Sequence, residues 1–204
     1  GSRLILQALE VGVNFIDTAQ LYRNYGYIRQ ALRGWREEVV IATKSYAYTA
    51  EMMKNALEEA RRELDLDLIP IFMLHEQESE HTIRGHWPAL EYLLKAREQG
   101  KVRAVGISTH YVQGVAGACK YPEIEVVSPL INLTGIGVQG GTRDQMLAAV
   151  KKAKAAGKGI YAMKPLGGGH LISRQQAAFQ FLLEQEDLDA IAVGMKSEQE
   201  LRRN

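Results

Sequence analysis

The chain has 204 residues, long enough to bury one sizeable hydrophobic core. Its 46% apolar and 24% charged content is ordinary for a globular protein, and 25 basic against 24 acidic residues leave a net charge of +1. That balance removes the electrostatic case for nucleic acid or an anionic membrane, no apolar run approaches the roughly 20 residues of a membrane span, and Cys119, the only cysteine, can form no internal disulfide or cysteine metal cluster.

Leu4, Ile5, Ala8 and Leu9 recur at helical spacing from Arg3 to Glu10, with Gly12 as a stop. Phe15-Ile16 reads as a short buried strand that leaves through Asp17. A helix is expected from Tyr27 to Leu32, closing near Gly34. The β-branched run Val39 to Thr43 then reaches Lys44. Thr49 to Leu64 is strongly amphipathic, with Thr49 as cap and Met53, Leu57, Ala60 and Leu64 on one face. Ile69 to Leu74 is a buried run ending on His75. Glu76, Glu78, Glu80 and His81 make a polar run that fits no metal-ligand spacing and reads as a solvated loop.

The alternation continues with a helix over Trp87 to Gln99, stopped by Gly100, and a strand from Val102 to Ser108. Tyr111 to Cys119 is a short helix, and Ile124 to Ile131 a strand leading to Asn132. Thr142 to Ala156 is an Ala/Lys-rich outer helix ended by Gly157. Ile160 to Met163 is a strand reaching Lys164, Ser173 to Glu184 a helix, and Ala190 to Val193 a strand reaching Gly194. A last helix starts at Ser197, with Glu200 three residues on as the second half of a capping box.

Strand ends therefore fall near Asp17, Lys44, His75, Ser108, Asn132, Lys164 and Gly194, roughly 24 to 33 residues apart, the length of a βα unit. Seven such units point to a TIM (β/α)8 barrel rather than an open doubly wound sheet, and no Gly-x-Gly-x-x-Gly follows the first strand. The fold expected over 1–204 is one α/β barrel domain apparently lacking its first strand. A barrel needs eight strands to close, so either that strand lies upstream or the sheet stays open, with two unpaired edges.

In a parallel sheet the carboxyl ends of the strands form the rim where sites are built. Asp17, Tyr22, Lys44 and His75 come from three successive βα junctions and meet on that rim. The set suits carbonyl reduction. Tyr22 gives a proton to the carbonyl oxygen, its pKa brought down by the Lys44 ammonium. Asp17 keeps that ammonium charged, and His75 polarises the carbonyl. Singly, each residue has an ordinary structural role as well; their joint placement at strand ends is what those roles do not explain. A second group is Met163-Lys164-Pro165-Leu166-Gly167-Gly168-Gly169, with Val193-Gly194-Met195-Lys196-Ser197 after the last strand. Glycines allowing close backbone approach, two lysines and a helix start suit phosphate. The other histidines, His81, His86, His110 and His170, are scattered in sequence.

Phe15-Ile16-Asp17-Thr18-Ala19 with Tyr22, Ile41-Ala42-Thr43-Lys44, Leu74-His75, Val105-Gly106-Ile107-Ser108 and Pro165-Leu166-Gly167 resemble, in order, the motifs of aldo-keto reductases. Leu74 to His86 and Gly157 to Gly169 are most similar to bacterial members with a ferredoxin-like iron–sulfur tail, and the chain stops before any such tail. The lone cysteine fits a reducing cytoplasm. The resemblance implies an NAD(P)H-dependent oxidoreductase acting on a small aldehyde or ketone, with Tyr22 as acid and Asp17, Lys44 and His75 in support. It also implies a cofactor strip of Ser108, Thr109, Asn132, Met163, Lys164, Leu166, Gly167, Gly194, Met195, Lys196, Ser197 and Asn204. Ser108 matches the family serine that bonds the carboxamide, Thr109 replaces the usual asparagine, Ser128 stands for a frequent glutamine, and Met163 for the stacking aromatic. Glu200 occupies the place of the arginine that often grips the 2′-phosphate. Lys196 and Arg203 remain as cations, which favours NADPH, with NADH as the other choice. The rival readings are a catalytically inactive, nucleotide-sensing or partner-binding relative, and a metal-dependent barrel hydrolase or isomerase.

Overall fold

The computed structural model describes residues 1–204. Seven strands run β1 (Phe15–Asp17), β2 (Val40–Ser45), β3 (Ile69–Leu74), β4 (Val102–Thr109), β5 (Val126–Pro129), β6 (Gly159–Ala162) and β7 (Ala190–Ile191). They pair in sequence order and all in parallel. β1 and β7 each pair on one side only, so the sheet curls into a nearly closed barrel, as expected for one strand short of eight. Nine helices accompany it: α1 (Ser2–Glu10), α2 (Tyr25–Leu32), α3 (Ala50–Leu64), α4 (Glu80–Gly85), α5 (Trp87–Glu98), α6 (Val112–Ala118), α7 (Arg143–Ala155), α8 (Gln175–Leu183) and α9 (Glu198–Arg203).

The local reasons are those of the sequence. Thr49 Oγ1 accepts from the Met52 N–H and opens α3, and Thr142 with Gln145 forms a reciprocal box at the start of α7. At α9 the Ser197 hydroxyl caps the Glu200 N–H, but the Glu200 carboxylate reaches one residue further back, to the Lys196 N–H at 2.6 Å. Part of the polar run after His75 is not loop. Ser79 and Thr82 form a capping box, and Glu80 to Gly85 become α4 because Ile83 is buried against the core. β5 and β7 are shorter than their apolar runs, so Asn132 and Gly194 lie three residues beyond their strands.

Side-chain alternation on the strands divides the core in two. Ile41, Phe72, Leu74, Val105, Ile107, Val127, Ile160 and Ala162 point outward and pack under Met53, Leu57, Leu64, Leu90, Leu93, Met146 and Val150 of the helices. The other parity fills the barrel: Ala42, Met73 and Tyr161 are buried there, with Phe15, Ile71, Val126 and Ala190 around them. Two residues further along, the inward positions of β1, β2 and β3 are Asp17, Lys44 and His75. The period of two thus carries three polar side chains to the mouth directly above three apolar ones.

Candidate active site

Lys44 is the central group, only 2% exposed. Its Nζ donates to Asp17 Oδ1 at 2.8 Å, to Oδ2 at 2.9 Å and to the Thr18 carbonyl at 2.6 Å, which uses all three N–H bonds. Burial lowers the Lys44 pKa from the ordinary lysine value, and Asp17 opposes that shift. The Asp17 carboxylate has a further donor that sequence reasoning missed. Tyr161, on β6 and buried in the barrel against Phe15, gives its O–H to Asp17 Oδ1 at 2.7 Å. Burial, and then Asp17, push the Tyr161 phenol well above its usual pKa, so it stays a donor.

Tyr22 sits over this pair, 49% exposed, with Lys44 Nζ 5.3 Å from its ring centroid. The expected lowering of its pKa does not occur. Burial, and then the negative charges of Asp17 and Glu76, raise it above the ordinary tyrosine value. The phenol therefore keeps its proton at rest. His75 lies edge-on to Tyr22, with ring centroids 6.0 Å apart, and stacks on Tyr46 at 4.3 Å. Burial and the Lys44 charge push its pKa down to about 4, so it is a neutral imidazole near pH 7, and its buried Nδ1 has no hydrogen-bond partner.

The mouth is completed by Glu76, read from sequence as loop, by His110, read as scattered, by Tyr46, which drew no reading, and by Lys164 of the expected phosphate group. The Glu76 carboxylate accepts from Tyr46 Oη at 2.5 Å and faces His110 Nδ1 at 3.6 Å, and Lys164 Nζ meets His110 Nε2 at 3.0 Å. A parity rule applied past the strand ends finds these residues. Tyr46 is two beyond Lys44, His110 two beyond Ser108, and Tyr161 two before Met163.

The residues expected along a cofactor fall into two sets. Ser108, Thr109 and Asn132 are fully buried and already engaged. Ser108 Oγ accepts the Glu76 N–H, Thr109 Oγ1 bonds the Tyr111 backbone, and the Asn132 amide ties down Ile136 and Lys164 backbone. The second set is open. Lys164 is exposed, Gly167 (φ 57) through Gly169 run in left-handed backbone that side chains disfavour, and a Cβ on Gly167 would meet Ile136 at 2.5 Å. Gly168 is exposed and its N–H bonds no backbone carbonyl. Leu166 lies in the same turn, and Gly194, Met195, Lys196 and Ser197 continue the rim from β7 to α9. Asn204 instead accepts from Gln175 through its side chain. Bare backbone donors beside two lysines fit the phosphates of a dinucleotide. Glu198 and Glu200 in the first turn of α9 leave less room for an extra phosphate there.

The profile of the aldo/keto reductase family matches residues 2–202, almost the whole chain. The chain belongs to this family. It is 27% identical to the 6-dehydroglucose reductase of Novosphingobium aromaticivorans, over 95% of this chain and 68% of that protein. It is 35% identical to the methylglyoxal reductase YeaE of Escherichia coli, over 49% of this chain and 36% of that one. Solved aldo-keto reductases share the fold. AKR11C1 from Bacillus halodurans superposes with a TM-score of 0.80 at 20% identity, covering 100% of this chain and 78% of that one. A Bombyx mori aldo-keto reductase in complex with NADP gives 0.74 at 18%, covering 98% and 75%.

Proposed function

We propose that this protein reduces an aldehyde or ketone to an alcohol, with Tyr22 as the acid. The observation that carries the reading is the buried Lys44–Asp17 pair at 2.8 Å beneath Tyr22 and beside a neutral His75. A reduced nicotinamide dinucleotide, when bound, supplies the hydride that goes to the carbonyl carbon and is itself oxidised by two electrons. Tyr22 supplies the proton that goes to the carbonyl oxygen. The neutral imidazole of His75 donates a hydrogen bond to that oxygen, polarising the carbonyl as negative charge develops on it. The raised pKa of Tyr22 holds the proton until then, and the developing alkoxide is basic enough to take it. Lys44 acts through its field rather than by direct contact, since its donors are spent on Asp17 and Thr18. Asp17, fixed by Lys44 and Tyr161 together, sets where that field points.

Lys164, the Gly167–Gly169 turn, Gly194, Lys196 and Ser197 would hold the dinucleotide phosphates. Ser108, with Ser128 opposite it on β5, marks the nicotinamide end. Reductase names among the relatives and NADP on a structural neighbour support this assignment and give the inactive alternative no advantage. Kinship with tail-bearing bacterial members, a single barrel domain and a cytoplasmic setting belong to the same proposal. They are supported respectively by Leu74 to His86 with Gly157 to Gly169, by the uninterrupted run of βα units, and by the lone Cys119. The test is Tyr22→Phe. Carbonyl-dependent oxidation of NADPH should be lost while the fluorescence change on NADPH binding persists. Full turnover in the variant would remove Tyr22 as the acid.

A further inference from the structure

Tyr46 follows β2 and His75 follows β3, and the pairing of those strands runs on past their ends. Ser45 lies opposite Leu74, and the His75 N–H donates to the Ser45 carbonyl at 3.0 Å, so Tyr46 and His75 stand side by side on the rim. Their rings stack, with centroids 4.3 Å apart and planes 20° from parallel. A histidine that acts in a site usually has one ring nitrogen tied to a carboxylate or carbonyl, which fixes the ring plane and aims the other nitrogen. The His75 Nδ1 is buried without such a partner, and the Tyr22 ring meets it only edge-on, with centroids 6.0 Å apart. The face of Tyr46 therefore sets the plane of the imidazole, since tilting the ring gives up the stacked overlap.

Tyr46 is itself 43% exposed, so packing alone does not hold it. Its Oη donates to Glu76 Oε2 at 2.5 Å, and burial followed by that bond raises its pKa, so it stays a donor. Glu76 is a firm anchor. Its backbone is left-handed (φ 52), an uncommon state for a residue other than glycine, and its N–H donates to Ser108 Oγ at 2.9 Å on the next strand. Its other carboxylate oxygen faces His110 Nδ1 at 3.6 Å. Support thus runs from fully buried Ser108 on β4, through Glu76 and Tyr46, to the His75 ring.

We propose that Tyr46, pinned by Glu76, is a positioning residue that holds the His75 imidazole in the plane from which it polarises the carbonyl. The inference rests on the reductase reading and adds no step to it: Tyr46 gives up no proton and acts through His75. Its loss falls on kcat rather than KM, because the His75 bond to the carbonyl oxygen strengthens only as charge develops there. The experiment measures kcat and KM at pH 7 and saturating NADPH for methylglyoxal and benzaldehyde, which share little but the carbonyl. Tyr46→Leu should lower kcat about tenfold for both, the worth of one misaimed hydrogen bond, with KM and NADPH affinity near the wild-type values. Tyr46→Phe keeps the face and should recover part of that loss. In a His75→Gln background, Tyr46→Leu should cost nothing further. A proton NMR spectrum needs no turnover: the His75 Cε1–H, identified by its absence in His75→Gln, should shift in Tyr46→Leu as the ring current of the stack is lost. A loss confined to KM, the same tenfold loss in the His75→Gln background, or an unmoved His75 resonance in a folded Tyr46→Leu overturns the positioning role alone. Wild type that reduces neither aldehyde overturns the reductase reading and this inference with it.

Discussion

Tyr161→Phe removes one oxygen and nothing else from the barrel interior. The ring keeps its place against Phe15, 4.9 Å away, and the oxygen lost is the one 2.7 Å from Asp17 Oδ1. Asp17 keeps both bonds from Lys44, so its charge stays paired. A hydrogen bond to a charged acceptor contributes about 1.5–3 kcal/mol, and removing the donor together with its own desolvation cost leaves a loss of about 2 kcal/mol. For a domain of this size that is about 4–8 °C in Tm. Urea unfolding should show a lower midpoint with an unchanged slope, since no surface is newly exposed in the native state. The control is Tyr27→Phe, a substitution in an exposed ring of α2, which should lie within about 0.5 kcal/mol of wild type. If Tyr161→Phe is as stable as that control, the phenol does not anchor Asp17, and the Lys44–Asp17 pair is held by the backbone of Thr18 alone.

Two glycines should respond to alanine with opposite signs. On β4 a Cβ at Gly106 would come 2.3 Å from the Val126 carbonyl oxygen, so Gly106→Ala forces β4 and β5 apart and costs about 1–3 kcal/mol. At Gly26, inside α2 with open space around it, the same change should stabilise by about 0.5–1 kcal/mol through helix propensity; urea midpoints decide both. His75 makes stability fall with acid. Its folded pKa near 4 lies below the usual 6.5, so the unfolded chain binds more protons between those values. The folded state is fully stable in this respect above pH 6.5. It loses up to about 3 kcal/mol by pH 4, less what solvent at the mouth screens. A His75→Gln variant that shows the same loss over that window would contradict the assignment.

How far the sequence reached is clearest at the strand ends. Phe15-Ile16-Asp17, the β-branched run before Lys44, and Ile69 to Leu74 before His75 set strand position and side-chain parity, and these carry three polar groups to one rim. Helix caps at Thr49 and Ser197 were equally legible, because each depends on residues within one turn. The seven-strand parallel order also followed from local spacing, since chain connectivity leaves βα units few other ways to pack. Only tertiary structure decided the electrostatics. Tyr161 lies 144 positions from Asp17, and its bond exists only because the sheet curls and brings β6 across from β1. Pairing of β2, β3 and β4 places Glu76 and His110 beside Tyr46, and burial, followed by Asp17 and Glu76, turns the Tyr22 shift upward rather than downward. Secondary structure is set by interactions along the chain, whereas pKa values and pocket chemistry depend on distances between residues remote in sequence.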